Sequence, residues 1–469
     1  MRMNWEQLLC PDRMRGKARR FSGDLRTEFE KDYHRIINSA SFRRLQDKTQ
    51  VFPLDKSDFI RTRLTHSLEV SSFGKSLGQN VSEKILREIK DESFKPEYKA
   101  DVCDILQCAG LLHDIGNPPF GHFGEYCIRQ WFRDNMYKME FEGKPLSEWL
   151  TEQQQADFYN FEGNTQALRL VSKLHVLVDD NGMNLTKGLL GTIIKYPVSS
   201  LEIDKKSGDI RTKKMGYYDA ESEMFHQLQA DLGTNGCRHP LTFLLEAADD
   251  IAYKTADIED AYKKGCITFE RLVAELRKRG PEDSTYYKDM VDNLERRRDR
   301  AAEKNFSNPE LNAVQNWVIY VQAKMIASVT DTFAEHYDEI MEGTFKTDLF
   351  AGTEAEPMMD SLGSIAFDYA FNTKPILKLE IAADAIFQFL LDNLVGSAID
   401  YDTDNPQNDV QQKFMALVSD NYKWIYHIYA EGKSKAEKLY LRLLLVTDYI
   451  CGMTDTFAKD LYQELKGIY

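Results

Sequence analysis

The stretch HDIGNPPFGHFGE, residues 113–125, concentrates side chains that can bind a metal ion or transfer a proton. His113 and Asp114 offer an imidazole nitrogen and a carboxylate, which are ordinary ligands for a divalent cation. An isolated His-Asp pair at a helix end is usually only hydrogen-bonded, so its context decides its interpretation. Here the glycines and prolines that follow break the chain and carry His122 and Glu125 past the helix end. We therefore expect the four side chains to face one cleft.

Two further ligand candidates stand in separate segments. His66 opens a helix in RTRLTHSLEV, and Asp249 follows two alanines in EAADDIAY. A carboxylate in an apolar helical run is costly to bury unless it binds a cation or has another partner. Tyr253 and Asp257 follow Asp249 at i+4 and i+8 and therefore share its helix face. This face is predicted to contact a metal ion, a phosphate and a sugar, with simple core packing as the alternative for Tyr253.

The remaining charged residues and histidines have simpler interpretations. The ERRRDR run at 295–300 is predicted to be a solvated helix face, with a nucleotide site at a subunit interface as the alternative. The excess of Lys and Arg near the N-terminus is also predicted to be solvated, with polyphosphate or nucleic-acid contact as the alternative; its core is Arg13, Arg15, Lys17, Arg19 and Arg20. The histidines outside the motifs are expected to be structural or at the surface: His34, His175, His226, His239, His336 and His427.

Helices must position these residues, because apolar residues recur at helical spacing almost everywhere and alternating strands are rare. The first is an amphipathic helix that opens at His66 and is marked by Leu68, Phe73, Leu77, Val81 and Ile85. The second, DVCDILQCAGLLHDIG, stops at Gly116 because two prolines follow, which leaves the His-Asp pair at its C-terminal end. The third runs from about 240 to 265, with proline first and glycine last.

Further along the chain, long helices are predicted over 310–342, 376–398, 407–431 and 434–467, after a charged helix containing ERRRDRAAEK. The only plausible strands lie within 192–218, as a short hairpin turned at Ser207-Gly208-Asp209. No linker rich in Pro, Gly or Ser follows Gly265. We therefore expect an all-α fold with at most a small hairpin, in which residues 1–469 form a single helical body. Residues 40–265 would be the catalytic core, and 266–469 a C-terminal helical extension that completes the fold and forms the oligomer interface.

Composition and charge argue against several classes of protein. A net charge of −15 disfavours a protein whose main task is to coat nucleic acid, because that task needs Lys and Arg in excess. The 7 cysteines contain no CxxC pair, so neither a disulfide framework nor a zinc knuckle is predicted, and the thiols should be reduced and mostly buried. The N-terminus lacks the apolar region of a signal peptide, and no stretch approaches the roughly 18 apolar residues of a membrane span. We expect a cytoplasmic protein without a membrane partner.

Together, these motifs resemble the HD-domain deoxynucleoside triphosphate triphosphohydrolases, and specifically the dGTPase group. The resemblance spans at least 40–260 and lies in FRRLQDKTQVFPL, RTRLTHSLEV, HDIGNPPFGHFGE, FEGNTQALRL, IIKYP and LLEAADDIAYKTADIEDA, with DYICGMTD near the end. A bare His-Asp pair would indicate only the superfamily, whereas the extension NPPFGHFGE narrows it. The resemblance implies an HD-domain helical fold and hydrolysis of dGTP, or of several dNTPs, to deoxynucleoside and tripolyphosphate.

The resemblance also implies roles for individual residues. One divalent cation, Mn²⁺ or Mg²⁺ ahead of other transition metals, would be held by His66, His113, Asp114 and Asp249. His122 and Glu125 would form an acid/base pair next to the α-phosphorus. The matching substrate contacts are Arg63 for phosphate, Gln50 and Val51 for sugar and base, Lys195 and Tyr196 for triphosphate, and Tyr253 and Asp257 for the deoxyribose. The implied partners are the dNTP substrate, further copies in a homo-oligomer built from dimers, and a regulatory dNTP or single-stranded DNA.

Two positions depart from the pattern of some relatives, which have histidine where this chain has Asn117 and Gly163. The acid/base role is therefore expected to fall on His122, with Glu162 as a supporting partner. Two other functions stay open. An HD-type phosphodiesterase or 5′-nucleotidase would explain the metal ligands but not the sugar-binding face. A nucleic-acid-responsive, nucleotide-binding regulatory protein would use the basic N-terminal region, and product analysis separates the three.

Overall fold

The computed structural model describes residues 2–16, 23–50, 54, 60–176 and 179–468, and within them the fold is helical, as predicted. The helices of the first half are α1 Trp5–Leu8, α2 Glu28–Ile37, α3 Ala40–Arg44, α4 Arg63–Lys84, α5 Tyr98–Leu112, α6 Gly121–Asn135, α7 Leu146–Trp149, α8 Glu152–Tyr159, α9 Gly163–Arg169, α10 Lys187–Ile193 and α11 Ser222–Leu232. Those of the second half are α12 Pro240–Lys263, α13 Phe269–Arg279, α14 Thr285–Glu303, α15 Pro309–Glu335, α16 Tyr337–Glu342, α17 Glu356–Ala366, α18 Lys374–Ala398, α19 Asp409–Leu417, α20 Asp420–Ala430, α21 Lys435–Cys451 and α22 Asp455–Leu465. The seven cysteines are free, as predicted.

One small hairpin is present in the described residues, but the predicted position was wrong. Strands β1 Glu140–Phe141 and β2 Lys144–Pro145 pair antiparallel around Glu142 and Gly143, whose φ angles are both positive, at 49° and 74°. This is the backbone that a tight two-residue hairpin turn requires. The segment 192–218 forms no strand, because its polar residues satisfy the backbone locally. There the side chains of Ser207 and Thr212 both donate to the carbonyl of Asp204, and the loop closes as short turns.

Helix α4 carries the first candidate ligand. Thr62 caps it, with a side chain that accepts a hydrogen bond from Thr65 N at 3.4 Å, so the helix begins at Arg63 rather than at His66. Leu68, predicted to mark its buried face, is 48% exposed. The buried stripe of α4 instead includes Val70, Leu77 and Val81.

Helices α4 and α5 pack at backbone distance. A Cβ atom at Gly110 would lie 2.5 Å from the backbone nitrogen of Ser71, and one at Gly74 would lie 2.9 Å from the carbonyl oxygen of Leu106. Any larger residue at these positions would force the helices apart. The close packing therefore holds the start of α4 and the C-terminal end of α5, with their histidines, in one place.

Helix α12 crosses both of these helices and carries the third segment of the candidate site. It begins at Pro240, which suits the first turn of a helix, and His239 caps it by accepting from a backbone N–H of that turn. His239 is thus structural, as predicted. The helix ends just before Gly265, whose φ of +69° confirms the predicted stop. Packing of α12 against α4 and α5 brings Asp249 to the histidines.

Of the four long C-terminal helices that were predicted, 376–398 is present as the single helix α18, and each of the other three is divided in two. The predicted helix 310–342 divides into α15 and α16, 407–431 into α19 and α20, and 434–467 into α21 and α22. Gly452 ends α21, and Thr454 then caps α22 by accepting from Phe457 N at 3.2 Å. The extension packs on the N-terminal half, with α15 against α4 and α12, and α18 against α6.

No stretch was expected to approach a membrane span, but α18 is the one described helix that is long and apolar enough to cross a membrane, by length and composition alone. Half of its most apolar stretch is buried inside the protein, where α18 packs against α6, α19, α21 and α22. The core helix of a globular protein passes the same test, so this feature is weak evidence for a membrane span.

Candidate active site

Three of the predicted ligands converge although they come from three separate helical segments. His66 Nε2 lies 3.2 Å from Asp249 Oδ1, and His113 Nε2 lies 3.5 Å from the same oxygen. The two imidazole rings meet edge to face, with centroids 5.1 Å apart. One ligand atom from each of the three residues lies within 4.8 Å of the others. The segments RTRLTHSLEV, HDIG and EAADDIAY therefore form one polar cluster.

Asp114 borders this cluster and has two further partners. Its Oδ2 lies 3.4 Å from His113 Nε2 and forms an ion pair with the buried Arg63. Its Oδ1 accepts a hydrogen bond from Asn117 Nδ2 at 2.6 Å. Asp114 is thus not in the compact group of three, but its carboxylate adjoins the same imidazole.

Buried cations keep the two carboxylates ionised. Burial opposes ionisation of Asp249, but Lys195, which donates to its Oδ2 at 3.1 Å, and His113 hold its pKa below the usual range. Burial likewise opposes ionisation of Asp114, and Arg63 and His113 hold its pKa well below the usual range. Both carboxylates are therefore negative at neutral pH, as metal ligands must be.

His113 has the hydrogen bonding of a metal ligand. Its Nδ1 lies 2.8 Å from the carbonyl oxygen of Gly110, and because a carbonyl can only accept, Nδ1 carries the proton. Its Nε2 is buried and has no hydrogen-bond partner among the described residues. Burial opposes protonation, but Asp114 and Asp249 raise the pKa of His113, so a proton and a cation would compete for this nitrogen. An imidazole lone pair beside two carboxylates fits a divalent cation.

His122 and Glu125 form a hydrogen-bonded pair in the first turns of α6. His122 Nδ1 lies 3.0 Å from Glu125 Oε2; the histidine side chain is 79% exposed and the glutamate 3% exposed. Burial opposes ionisation of Glu125, but His122, Lys214 and the N–H of Gly163 lower its pKa. The ionised carboxylate holds the Nδ1 proton of His122, which leaves Nε2 free to exchange a proton with a bound reactant.

The turn before α6 connects this pair to the predicted metal-ligand cluster of His66, His113, Asp114 and Asp249 through Arg63. Phe120 and Gly121 both have a φ of +58°, which lets the chain reverse sharply after the prolines. A Cβ atom at Gly121 would lie 2.5 Å from Arg63 Nη2. Because Arg63 pairs with Asp114, the residue directly before His122 contacts the arginine of the cluster.

Asn117 and Gly163, the two positions at which some relatives are expected to have histidine, lie against each other. A Cβ atom at Gly163 would lie 2.0 Å from Asn117 Oδ1 and 3.0 Å from Glu125 Oε1. The backbone N–H of Gly163 donates to Glu125 Oε1 at 2.7 Å, and Asn117 donates to Asp114. Asn117 thus occupies the space that a side chain at 163 would need, and the two positions connect Asp114 with Glu125.

Comparison with known proteins places this site in a family. The HD-domain family model matches residues 63–158, which include His66, His113 and the His122–Glu125 pair. A deoxyguanosinetriphosphate triphosphohydrolase-like protein of Listeria monocytogenes is 46% identical over 99% of this chain and 100% of its own length. The chain belongs to the deoxyguanosinetriphosphate triphosphohydrolase-like family. Other members are 33% identical in Synechocystis, over 99% of this chain and 100% of the relative, and 32% identical in Klebsiella pneumoniae, over 95% of both.

In this member of the deoxyguanosinetriphosphate triphosphohydrolase-like family, helix α12 carries the residues predicted to bind the sugar. Tyr253 is half-buried and Asp257 is 3% exposed, each on the face of the helix that also carries Asp249. Burial, helped by the neighbouring Asp260, raises the pKa of Asp257 well above its usual range. A protonated Asp257 can both donate to and accept from a hydroxyl group.

The other predicted substrate contacts differ in accessibility. Gln50 is half-buried, and its Oε1 has no hydrogen-bond partner among the described residues, while Val51 lies outside those residues. Tyr196 is 7% exposed, and the guanidinium of Arg238 lies 5.5 Å from its ring centroid. Arg238 in turn pairs with Glu246 on α12, so Tyr196 is packed into the wall of the site.

Several residues around the site were not predicted, and one, Glu162, was predicted only as a supporting partner. Glu162, expected to support the acid/base pair, forms an ion pair with Lys214 at 3.0 Å and shares Arg129 with Glu125. Lys48 and Asp455 are buried and bond to loops of the site. Both belong to motifs that carry the family resemblance, but residue type alone does not reveal a main-chain partner.

Arg13, the first residue of the basic N-terminal cluster, is not part of a solvated face. Arg13 is 6% exposed and pairs with Glu28 at 2.8 Å and Asp32 at 2.6 Å, so its role is structural. Three other members of the cluster lie outside the described residues: Lys17, Arg19 and Arg20.

Proposed function

We propose that this protein hydrolyses deoxynucleoside triphosphates to deoxynucleoside and tripolyphosphate. One observation carries the proposal: His66, His113 and Asp249 converge, and the exposed His122, bonded to the buried Glu125, follows directly on Gly121, which lies against the Arg63 that pairs with Asp114. Relatives from Klebsiella pneumoniae and Enterobacter are named deoxyguanosinetriphosphate triphosphohydrolase, which makes dGTP the first substrate to test.

The proposed metal ligands are His66, His113, Asp114 and Asp249, with Mn²⁺ or Mg²⁺ as the cation. Two carboxylates lie within 3.5 Å of the Nε2 of His113, which has no hydrogen-bond partner in the described part of the chain, and this arrangement supports the assignment. When bound, a divalent cation would polarise the α-phosphate and make water a better nucleophile near neutral pH.

The proposed chemistry needs a proton donor, because attack of water at the α-phosphorus breaks the bond to the 5′-oxygen, a poor leaving group. His122 would donate that proton from Nε2, while Glu125 holds Nδ1. Arg63 and Lys195 would neutralise the phosphates, since both cationic groups already lie at the ligand carboxylates.

Selection for deoxyribose would follow from α12. Tyr253 would pack against the sugar where a 2′-hydroxyl would otherwise sit, and Asp257 would bond the 3′-hydroxyl. The shared helix face and the only partly buried side chain of Tyr253 support this assignment. Gln50, Val51 and Tyr196 complete the proposed nucleotide site.

We also propose a cytoplasmic homo-oligomer built from dimers, with 40–265 as the catalytic core and 266–469 as the interface region. Exposed apolar side chains on α18 and just before it support an interface there: Phe367 at 58%, Leu377 at 44% and Ile381 at 73% exposure. A regulatory dNTP or single-stranded DNA stays a proposed partner.

The test is an assay of the full-length protein with each of the four dNTPs and with GTP, in Mn²⁺ or Mg²⁺, with and without effector dNTP or single-stranded DNA. Chromatography and ³¹P NMR should find deoxynucleoside and tripolyphosphate, and Asp249→Asn should abolish both. Release of a nucleoside monophosphate would favour a phosphodiesterase, and release of inorganic phosphate from a deoxynucleoside monophosphate in a parallel reaction, with the dNTPs left intact, would favour a 5′-nucleotidase. Nucleotide binding without turnover would favour the regulatory one.

A further inference from the structure

The turn between α21 and α22, residues 452–454, and the residues that flank it contact loops of the active site through two buried charged side chains. The first is Lys48, which is 2% exposed. Its Nζ donates to the carbonyl oxygen of Asn117 at 2.6 Å and to that of Cys451 at 2.7 Å. One lysine therefore joins the turn that follows Asp114 to the C-terminal end of α21.

The second is Asp455, which is 1% exposed. Its Oδ1 accepts from the backbone N–H of Phe120 at 2.9 Å, directly before α6. Its Oδ2 accepts from the backbone N–H of Thr49 at 3.0 Å and also from the Thr49 hydroxyl. Asp455 therefore joins the start of the acid/base helix to the segment that carries Gln50.

The segment around 48 and 49 also fixes the start of α4. The carbonyl oxygen of Lys48 accepts from Arg63 N at 3.0 Å, and Thr49 forms an antiparallel bridge with Thr62. Three loops therefore meet here. The segment around 48 and 49 leads to His66, the loop between α5 and α6 holds Asp114 and leads on to His122, and the third loop is the turn at 452–454.

We propose that Lys48 and Asp455 are positioning residues that hold these three loops in register, so that the C-terminal segment at 451–455 is part of the active site. Neither residue touches the reacting atoms. Each acts through main-chain groups that side chains elsewhere in the site depend on: Lys48 through Asn117, which orients the Asp114 carboxylate, and Asp455 through Phe120 and Thr49. The catalytic part of the inference rests on the proposed function, whereas its effect on metal affinity does not.

The test compares Lys48→Met with Lys173→Met in the full-length protein. Lys173 serves as the control, because it is also buried and donates to a main-chain carbonyl, that of Ala220 at 2.6 Å, outside the metal-ligand cluster; it additionally forms an ion pair with Glu221 at 2.9 Å. Both variants should lower the melting temperature. Only Lys48→Met should weaken Mn²⁺ binding, measured by calorimetry without nucleotide, and lower kcat for dGTP, each by about 10–100-fold, the usual effect of losing an outer partner of a metal ligand.

Two isosteric variants decide the matter if Lys48→Met does not fold. Asp455→Asn should lower kcat, and Thr49→Val should raise KM more than it lowers kcat, because Thr49 precedes Gln50. The positioning role is overturned if the folded Lys48→Met resembles Lys173→Met in Mn²⁺ affinity and kcat, or if Asp455→Asn and Thr49→Val change only the melting temperature. If the unmodified protein hydrolyses no dNTP but Lys48→Met alone loses Mn²⁺ affinity, the proposed function fails and the positioning role stands.

Discussion

Replacing Gly163 with alanine tests the connection between the proposed metal site and the acid/base pair. The added Cβ would lie 2.0 Å from Asn117 Oδ1 and 3.0 Å from Glu125 Oε1. Asn117 must therefore move, and its 2.6 Å hydrogen bond to Asp114 must lengthen or break. Helix propensity acts in the opposite direction by at most about 1 kcal/mol, the preference for alanine over glycine in a helix interior, because Gly163 is the first residue of α9. A loss of function would thus come from the contact and not from the helix.

Losing an outer hydrogen bond to a metal ligand typically lowers metal affinity or activity by about 10–100-fold. We expect Gly163→Ala to show this loss in Mn²⁺ affinity, measured by calorimetry, and in kcat for dGTP at saturating Mn²⁺. Gly396→Ala is the control, because Gly396 is also helical and the nearest atom to its added Cβ is Met139 Cε at 3.8 Å. It should leave both quantities unchanged.

A double-mutant cycle isolates the clash. Asn117→Ala alone should lose affinity and turnover through Asp114, and adding Gly163→Ala should then cost little more, because the clashing oxygen is gone. Equal losses for Gly163→Ala in both backgrounds would refute this reasoning. Unchanged Mn²⁺ affinity and kcat in the single variant would refute it as well.

Three further predictions follow from the site. His122→Ala should lower kcat by about 10²–10⁴-fold while Mn²⁺ affinity is retained, with the half-exposed His427→Ala as an unaffected control; loss of the metal instead would make His122 a ligand. Tyr253→Ala should raise kcat/KM for GTP relative to dGTP, and equal hydrolysis of the two by the unmodified protein would contradict the role of Tyr253. Burial lowers the pKa of Lys48 to about 8 from its ordinary 10.5, so the folded state binds this proton less tightly than the unfolded state does. The contribution of Lys48 to the free energy of unfolding should therefore rise between pH 8 and 10.5. Over this range, the melting temperature of the unmodified protein should increase relative to that of Lys48→Met. A constant difference between the two melting temperatures would contradict the burial of Lys48.

Sequence periodicity predicted the parts of the site that lie within one helix. Asp249, Tyr253 and Asp257 share a face of α12 because four-residue spacing dictates it, and the broken stretch after Gly116 does reverse the chain into α6, where Gly121, the residue before His122, lies against Arg63. Helix ends were predicted well where proline and glycine mark them, as at Pro240 and Gly265.

Contacts between distant segments could not be predicted in the same way. Nothing in a single sequence indicates that Asn117 fills the space beside Gly163, or that Lys48 bonds two carbonyl oxygens, because both depend on how helices pack. The hairpin was misplaced for a related reason: Ser-Gly-Asp at 207–209 is a turn signal, but strands also need a partner, and the polar side chains there bond their own backbone instead.

The most direct test of the central claim is a single-turnover reaction of the protein with dGTP in H₂¹⁸O, followed by mass spectrometry of the products. Attack of water at the α-phosphorus with departure of the 5′-oxygen predicts one ¹⁸O atom in tripolyphosphate and none in deoxyguanosine. Label in deoxyguanosine would mean that the carbon–oxygen bond is broken. Formation of labelled dGMP with pyrophosphate, or of inorganic phosphate, would contradict the proposed triphosphohydrolase activity.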